Sequence, residues 1–94
     1  MDDPKNPRTI VESPRFTRER ERFAPDARRF DDAMRAVDLR LGRDPESGIR
    51  LSRGGLYATC ITFSDGRTFA IYYTFDDEKV VLESLRPDRI LSDL

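Results

Sequence analysis

Apolar residues recur along this chain with two different periods, and the change of period divides it into helical and extended parts. Ala27, Phe30, Met34, Val37 and Leu41 are spaced three, four, three and four apart, the stripe of an amphipathic helix, and Ala33 widens it. Upstream, Phe16 and Phe23 stand seven apart on one face of a shorter helix. Ser13 is placed to cap that helix and Pro14 to open its first turn. Ala24-Pro25-Asp26 separates the two helices, Gly42 reads as the stop of the second, and Asp44 to Gly48 reads as a loop. Before the helices, Arg8 to Glu12 is a short strand candidate with β-branched Thr9, Ile10 and Val11.

After residue 48 the period falls to two. Ile49 to Ser52 reads as a short edge strand, and Leu56–Phe63, Arg67–Phe75 and Val80–Leu85 as longer ones. A two-residue turn at Asp65-Gly66 would set Ile61 opposite Ala70 and mix apolar with polar positions. A three-residue loop, Ser64-Asp65-Gly66, instead pairs Ile61 with Phe69, Thr59 with Ile71 and Tyr57 with Tyr73. It also puts Gly66 at the left-handed position that this loop requires. Asp76 to Lys79 then closes a hairpin pairing Phe75 with Val80 and Tyr73 with Leu82. Tyr57, Ile61, Phe63, Phe69, Ile71, Tyr73, Phe75, Val80 and Leu82 thereby share the face beneath the helices. The predicted class is α+β, a helical hairpin packed on one face of a small, mainly antiparallel sheet.

The opposite face carries Leu56, Ala58, Cys60, Thr62, Thr68, Ala70, Tyr72, Thr74, Val81, Glu83 and Leu85, with Tyr72 lying between Ala58 and Glu83. Nothing else in the chain is expected to cover it. An open, partly apolar sheet face is a candidate protein-binding surface.

Composition narrows the chemistry. Ninety-four residues make one domain, read as 8–94 behind a disordered tail at 1–7, and Pro87 to Leu94 reads as a turn or frayed helix. The absence of histidine and the single cysteine, Cys60, remove the commonest acid–base group, the commonest metal ligand and any internal disulfide. The residues call for no cofactor and no metal. No apolar run approaches the roughly 20 residues that span a bilayer, and no apolar stretch follows the first seven residues. A cytoplasmic location with no membrane partner is expected. Arginine supplies 15 of the 17 basic residues, yet the net charge is −1, so nucleic-acid binding would need a local patch.

The order strand, helix, helix, then antiparallel strands resembles the RelE/ParE toxins of type II toxin–antitoxin systems, over about Arg8 to Pro87. The matching residues are Leu41-Gly42-Arg43-Asp44-Pro45 and the run from Thr68-Phe69-Ala70-Ile71-Tyr72-Tyr73-Thr74-Phe75 through the acidic turn Asp76-Asp77-Glu78 to Lys79-Val80-Val81-Leu82. The resemblance implies a bacterial toxin neutralised by a cognate antitoxin protein. One branch cuts messenger RNA in the ribosome, the other poisons DNA gyrase. The nuclease branch uses Lys and Arg on the open sheet face, with Arg and Tyr near the C-terminus. Here Ala58, Cys60, Thr62 and Ala70 stand where those basic groups belong, and no tyrosine follows Tyr73. Losing charges that stabilise a transition state costs orders of magnitude in rate. A gyrase-directed or catalytically lapsed toxin therefore fits better than an mRNA endoribonuclease. A non-toxic interaction module of the same layout is the alternative from another class.

Candidate catalytic residues are Arg67, Tyr72, Glu83 and Arg86, with Glu83 as base and Tyr72 as proton donor. The simpler reading of the Tyr72/Glu83 pair is an ordinary cross-strand contact. Leu56, Ala58, Ala70, Val81 and Leu85 would offer apolar contact to an antitoxin segment. Arg50 and Arg53, with Arg67, Arg86 and Arg89, form either a basic rim or scattered solvated charges. The arginine-rich first helix either docks on nucleic acid or, with Glu19 and Glu21 neutralising it, is a solvated face with i,i+4 pairs, and the second reading is preferred.

Overall fold

The computed structural model describes residues 7–51 and 53–87, apart from the side chain of Arg53. The expected tail, except Pro7, the segment after Pro87 with Arg89, and Ser52 lie outside these residues. The elements are β1 (Thr9–Glu12), α1 (Pro14–Phe23), α2 (Ala27–Arg43), β2 (Ile49–Arg50), β3 (Tyr57–Thr62), β4 (Thr68–Phe75) and β5 (Lys79–Pro87). The sheet order is β1-β5-β4-β3-β2. β1 runs parallel to β5, and the other pairings are antiparallel. The fold is α+β, two helices packed against a five-stranded mixed sheet.

Both helices begin where their caps dictate. Ser13 Oγ accepts from the Phe16 N–H at 3.0 Å with Pro14 next in the chain, and Asp26 Oδ1 accepts from the Arg29 N–H at 3.1 Å. Phe30, Met34, Val37 and Leu41 are buried on the stripe, whereas Ala27 at its start is exposed. Phe16, Leu41, Ile71, Tyr73 and Leu82 lie at the centre of the core these elements share. Full burial of each such aliphatic or aromatic side chain contributes about 1.5–3 kcal/mol.

Gly42 does not stop α2, which runs on to Arg43. Its role is close approach: the Arg8 N–H donates to the Gly42 carbonyl at 2.8 Å, and a Cβ at 42 would lie 3.3 Å from the Arg8 carbonyl oxygen. The glycine thus lets the entry to β1 lie against the end of α2.

The β3–β4 hairpin has the expected register, Ile61 opposite Phe69 and Tyr57 opposite Tyr73, with Gly66 at φ +92°. The β4–β5 hairpin starts as expected, with Phe75 opposite Val80 and Tyr73 opposite Leu82, and then shifts. Tyr72 faces Ser84, not Glu83, so Glu83 is the extra residue of a β-bulge. Strict alternation after Leu82 would bury Ser84 and expose Leu85. The bulge turns Leu85 inward instead, where it faces Ile71 and is fully buried in the main core, while Ser84, also buried, lies on the groove side. The expectation that Leu85 lies on the open face is corrected accordingly.

That face is also less bare than expected. Ala58 and Ala70 are fully buried beneath Leu51 and Tyr72, so neither offers contact surface. The chain between β2 and β3 folds back here. Its Leu51 N–H donates to the Leu56 carbonyl at 3.0 Å, and Gly54 and Gly55 take φ of +83° and +72°.

Candidate functional site

β1 ends at Glu12, and beyond it β5 has no strand on that side. α1 takes the vacant place. The Ser13 N–H donates to the Leu82 carbonyl at 2.9 Å and Ser13 Oγ to the Glu83 carbonyl at 3.1 Å. One and a half turns later, Glu19 Oε1 accepts from the Leu85 N–H at 3.0 Å and from Ser84 Oγ at 2.8 Å. A side-chain carboxylate here does for the strand edge what a neighbouring strand would do. Its other oxygen pairs with Arg86 Nε at 3.3 Å and Arg15 Nε at 3.5 Å. Partial burial alone would raise the Glu19 carboxyl. The Leu85 N–H, the Ser84 hydroxyl and the two guanidinium groups outweigh that, and hold it below its ordinary value.

With α1 set along this edge, a groove of about 920 Å³ opens over the helix-free face. Its floor is Tyr72 and Thr74 of β4 with Glu83 and Ser84 of β5. Leu56 and Gly54 bound one side, and the first turns of α1, with Arg15 and Arg18, bound the other. Arg86 also lines it. The volume falls in the range of clefts that accept small ligands or short segments of another chain. Thr74 Oγ1 donates to Glu83 Oε2 at 2.8 Å, so the bulged carboxylate lies along the floor. Arg15 and Arg86 share Glu19, whereas Arg18 is exposed and forms no ion pair among the described residues.

The groove brings together three of the four candidate catalytic residues, Tyr72, Glu83 and Arg86. Arg67 is elsewhere. Its Nε donates to Asp65 Oδ2 at 2.9 Å, and its guanidinium stacks over Phe63 and Phe69 on the helix side of the β3–β4 hairpin. The Arg67 backbone N–H, followed by the guanidinium groups of Arg67 and Arg29, holds the Asp65 carboxyl below its ordinary value. Arg67 therefore locks the hairpin loop. Of the apolar candidates, Leu56 lines the groove and half-buried Val81 lies opposite Thr74 on the same face. Arg50 is exposed on the edge strand β2, and the Arg53 side chain lies outside the described residues.

Arg15 and Arg18 are groove residues that sequence reasoning missed. They follow directly on Ser13-Pro14, so the helix cap fixed their position on α1. Only the docking of α1 against the unpaired half of β5 turns them toward the sheet. The Arg/Glu alternation assigns Glu19 to a solvated face, yet its side chain is only 16% exposed, because it turns in to cap β5.

Comparison with protein-family models, curated proteins and solved structures returned no match to this chain. Among the described residues, no helix is long and apolar enough to cross a membrane, and no cluster of three or more His, Cys, Asp and Glu side chains could hold a metal ion.

Proposed function

We propose that this chain is a toxin-like component of a type II toxin–antitoxin system, similar to the RelE/ParE toxins, neutralised by an antitoxin bound across the helix-free face of its sheet. The observation that carries the reading is the groove. Both helices pack on one side, and the other side holds a floor of Tyr72, Thr74 and Glu83 with arginines at its margin. Strand, helical hairpin and antiparallel meander follow one another in the order on which the resemblance rests. The strand positions where the nuclease branch carries basic groups are Ala58, Cys60, Thr62 and Ala70, and two of these are fully buried. Gyrase-directed action or a lapsed activity is the form of the proposal these residues favour.

One observation favours the second reading, a ribosome-dependent mRNA endoribonuclease: Tyr72, Glu83 and Arg86 share one groove with Arg15 and Arg18. Against it, Glu83 is held by Thr74, and Arg86 by Glu19 and Ser84. Induced expression in a bacterial host separates the readings when growth, total protein synthesis and plasmid supercoiling are followed together. Arrest with relaxed or cleaved DNA supports gyrase as target. Arrest with lost translation, abolished by Glu83→Gln, supports mRNA cleavage. Unimpaired growth leaves a lapsed toxin or an interaction module. Binding by the product of an adjacent short reading frame then distinguishes those two.

A further inference from the structure

The first two turns of α1 present two arginines to the groove, Arg15 and Arg18. Arg15 and Arg18 are three apart, so they project from the same side of the helix over the groove floor. Arg15 already shares the Glu19 carboxylate with Arg86. Arg18 has no such partner among the described residues and is exposed. Across the groove stands Leu56, half-buried, with Tyr72 between them. The surface thus combines one guanidinium with no ion pair among the described residues, a second that shares Glu19, and an apolar wall.

We propose that this groove recognises a peptide segment of a partner protein that carries a carboxylate for Arg18 and Arg15 beside an apolar side chain for the Leu56–Tyr72 wall. The inference rests on the proposal that a partner covers the open face, and it names what that partner must offer. Charge complementarity selects the occupant. A single-stranded nucleic acid binds along a track of several cations with successive bases on aromatic platforms. Here one aromatic residue lies on the floor, the Glu83 carboxylate lies beside it, and Glu19 neutralises much of Arg15 and Arg86. A phosphodiester chain would meet that floor carboxylate at close range. One or two peptide carboxylates need only the α1 margin, and an arginine holds a carboxylate through paired N–H donors. Because β5 is already capped by Glu19 on this side, the segment would be held by side chains and not by strand addition.

The test uses the full chain and an array of synthetic 12-residue peptides combining Leu, Ile or Phe with Asp or Glu at varied spacing. The same peptides with Lys in place of the acids, and a 12-nucleotide oligouridylate, serve as rivals. Fluorescence anisotropy is read for the wild type, Arg18→Glu and the milder Arg18→Gln, with thermal melts to show that each variant is folded. The expected result is that acidic–apolar peptides bind and their Lys counterparts do not. Affinity should fall at least tenfold in Arg18→Glu and less in Arg18→Gln, and should weaken as salt screens the exposed pair. Absence of peptide binding, equal binding by Arg18→Glu, or tighter oligouridylate binding lost in the same variant would each overturn the proposal. A parallel search for a short reading frame directly adjacent to this one, with pull-down of its product, tests the toxin–antitoxin reading by itself. Peptide selectivity without that partner would sink the reading and leave the recognition chemistry standing, and a bound partner indifferent to Arg18→Glu would do the reverse.

Discussion

At the residue scale, two carboxylates respond to pH in opposite senses. Glu19 joins α1 to β5, and the groups around it hold its folded-state value below the ordinary 4.5. A depressed carboxyl contributes stability that is present above its unfolded value and lost as pH falls through the lower folded value. Glu19→Gln keeps the shape but removes the charge. It is expected to cost about 1–2 kcal/mol at neutral pH. In thermal melts the gap from wild type should narrow below about pH 4.5 and close in strong acid, and a gap independent of pH would refute the assignment. Asp38 on α2 is the converse. Burial, then the nearby Asp31 and Glu12, raise its carboxyl, and its Oδ1 is buried without a hydrogen-bond partner among the described residues. Its ionisation therefore opposes folding above the raised value, and the penalty disappears as pH falls below the ordinary 3.8. Asp38→Asn should raise the melting temperature at pH 7 by a few degrees and give no gain near pH 3; a destabilised variant at pH 7 would count against this account.

At the scale of elements, the bulge in β5 decides what faces inward and what forms the groove floor. Leu85 is fully buried in the main core, so Leu85→Ala should cost about 2–5 kcal/mol, while Val81→Ala, on the half-buried open face, should cost much less. Equilibrium denaturation of the two variants checks this, and an unbulged strand, which would leave both side chains on the open face, would give similar costs. The helices and the first hairpin were legible because local chemistry specifies them. Ser13-Pro14 and the stripe from Phe30 to Leu41 mark the helices, and Gly66 with the alternation of Ile61 and Phe69 marks the register. The bulge left one trace, the spacing of Val80, Leu82 and Leu85 by two and then three, which a strict period-two reading passes over. Other features depend on contacts remote in sequence. β1 pairs with β5 across about 70 residues, Gly42 abuts Arg8, and Leu51 covers Ala58 and Ala70. The groove was half legible for the same reason. Tyr72 and Glu83 belong to the meander, whereas Arg15 and Arg18 reach it only through the docking of α1.

At the scale of the whole molecule, the first strand ties the ends of the domain together. Thr9 to Glu12 pair in parallel with Lys79 to Leu82, and Ile10 packs against the main core. Arg8 donates from its N–H to Gly42 of α2 and from Nε to the Asp76 carbonyl at 2.6 Å in the β4–β5 turn. One short segment therefore touches the end of α2, the last hairpin and the start of α1. The sheet cannot form its full width until residues far apart in the chain have met, and such non-local pairing favours a single cooperative transition. A domain of this size has about 5–15 kcal/mol of stability in total. Removing residues 1–12 would strip the parallel ladder, uncover Val80 and Leu82, and leave the edge of β5 open to another chain. The truncated chain is expected to lose its cooperative unfolding transition and to associate, while the full chain gives one denaturation midpoint by circular dichroism and by tyrosine fluorescence. A truncated chain that still unfolds cooperatively as a monomer would show that α1, α2 and the β2–β5 meander form a self-sufficient core, with β1 only an accessory edge.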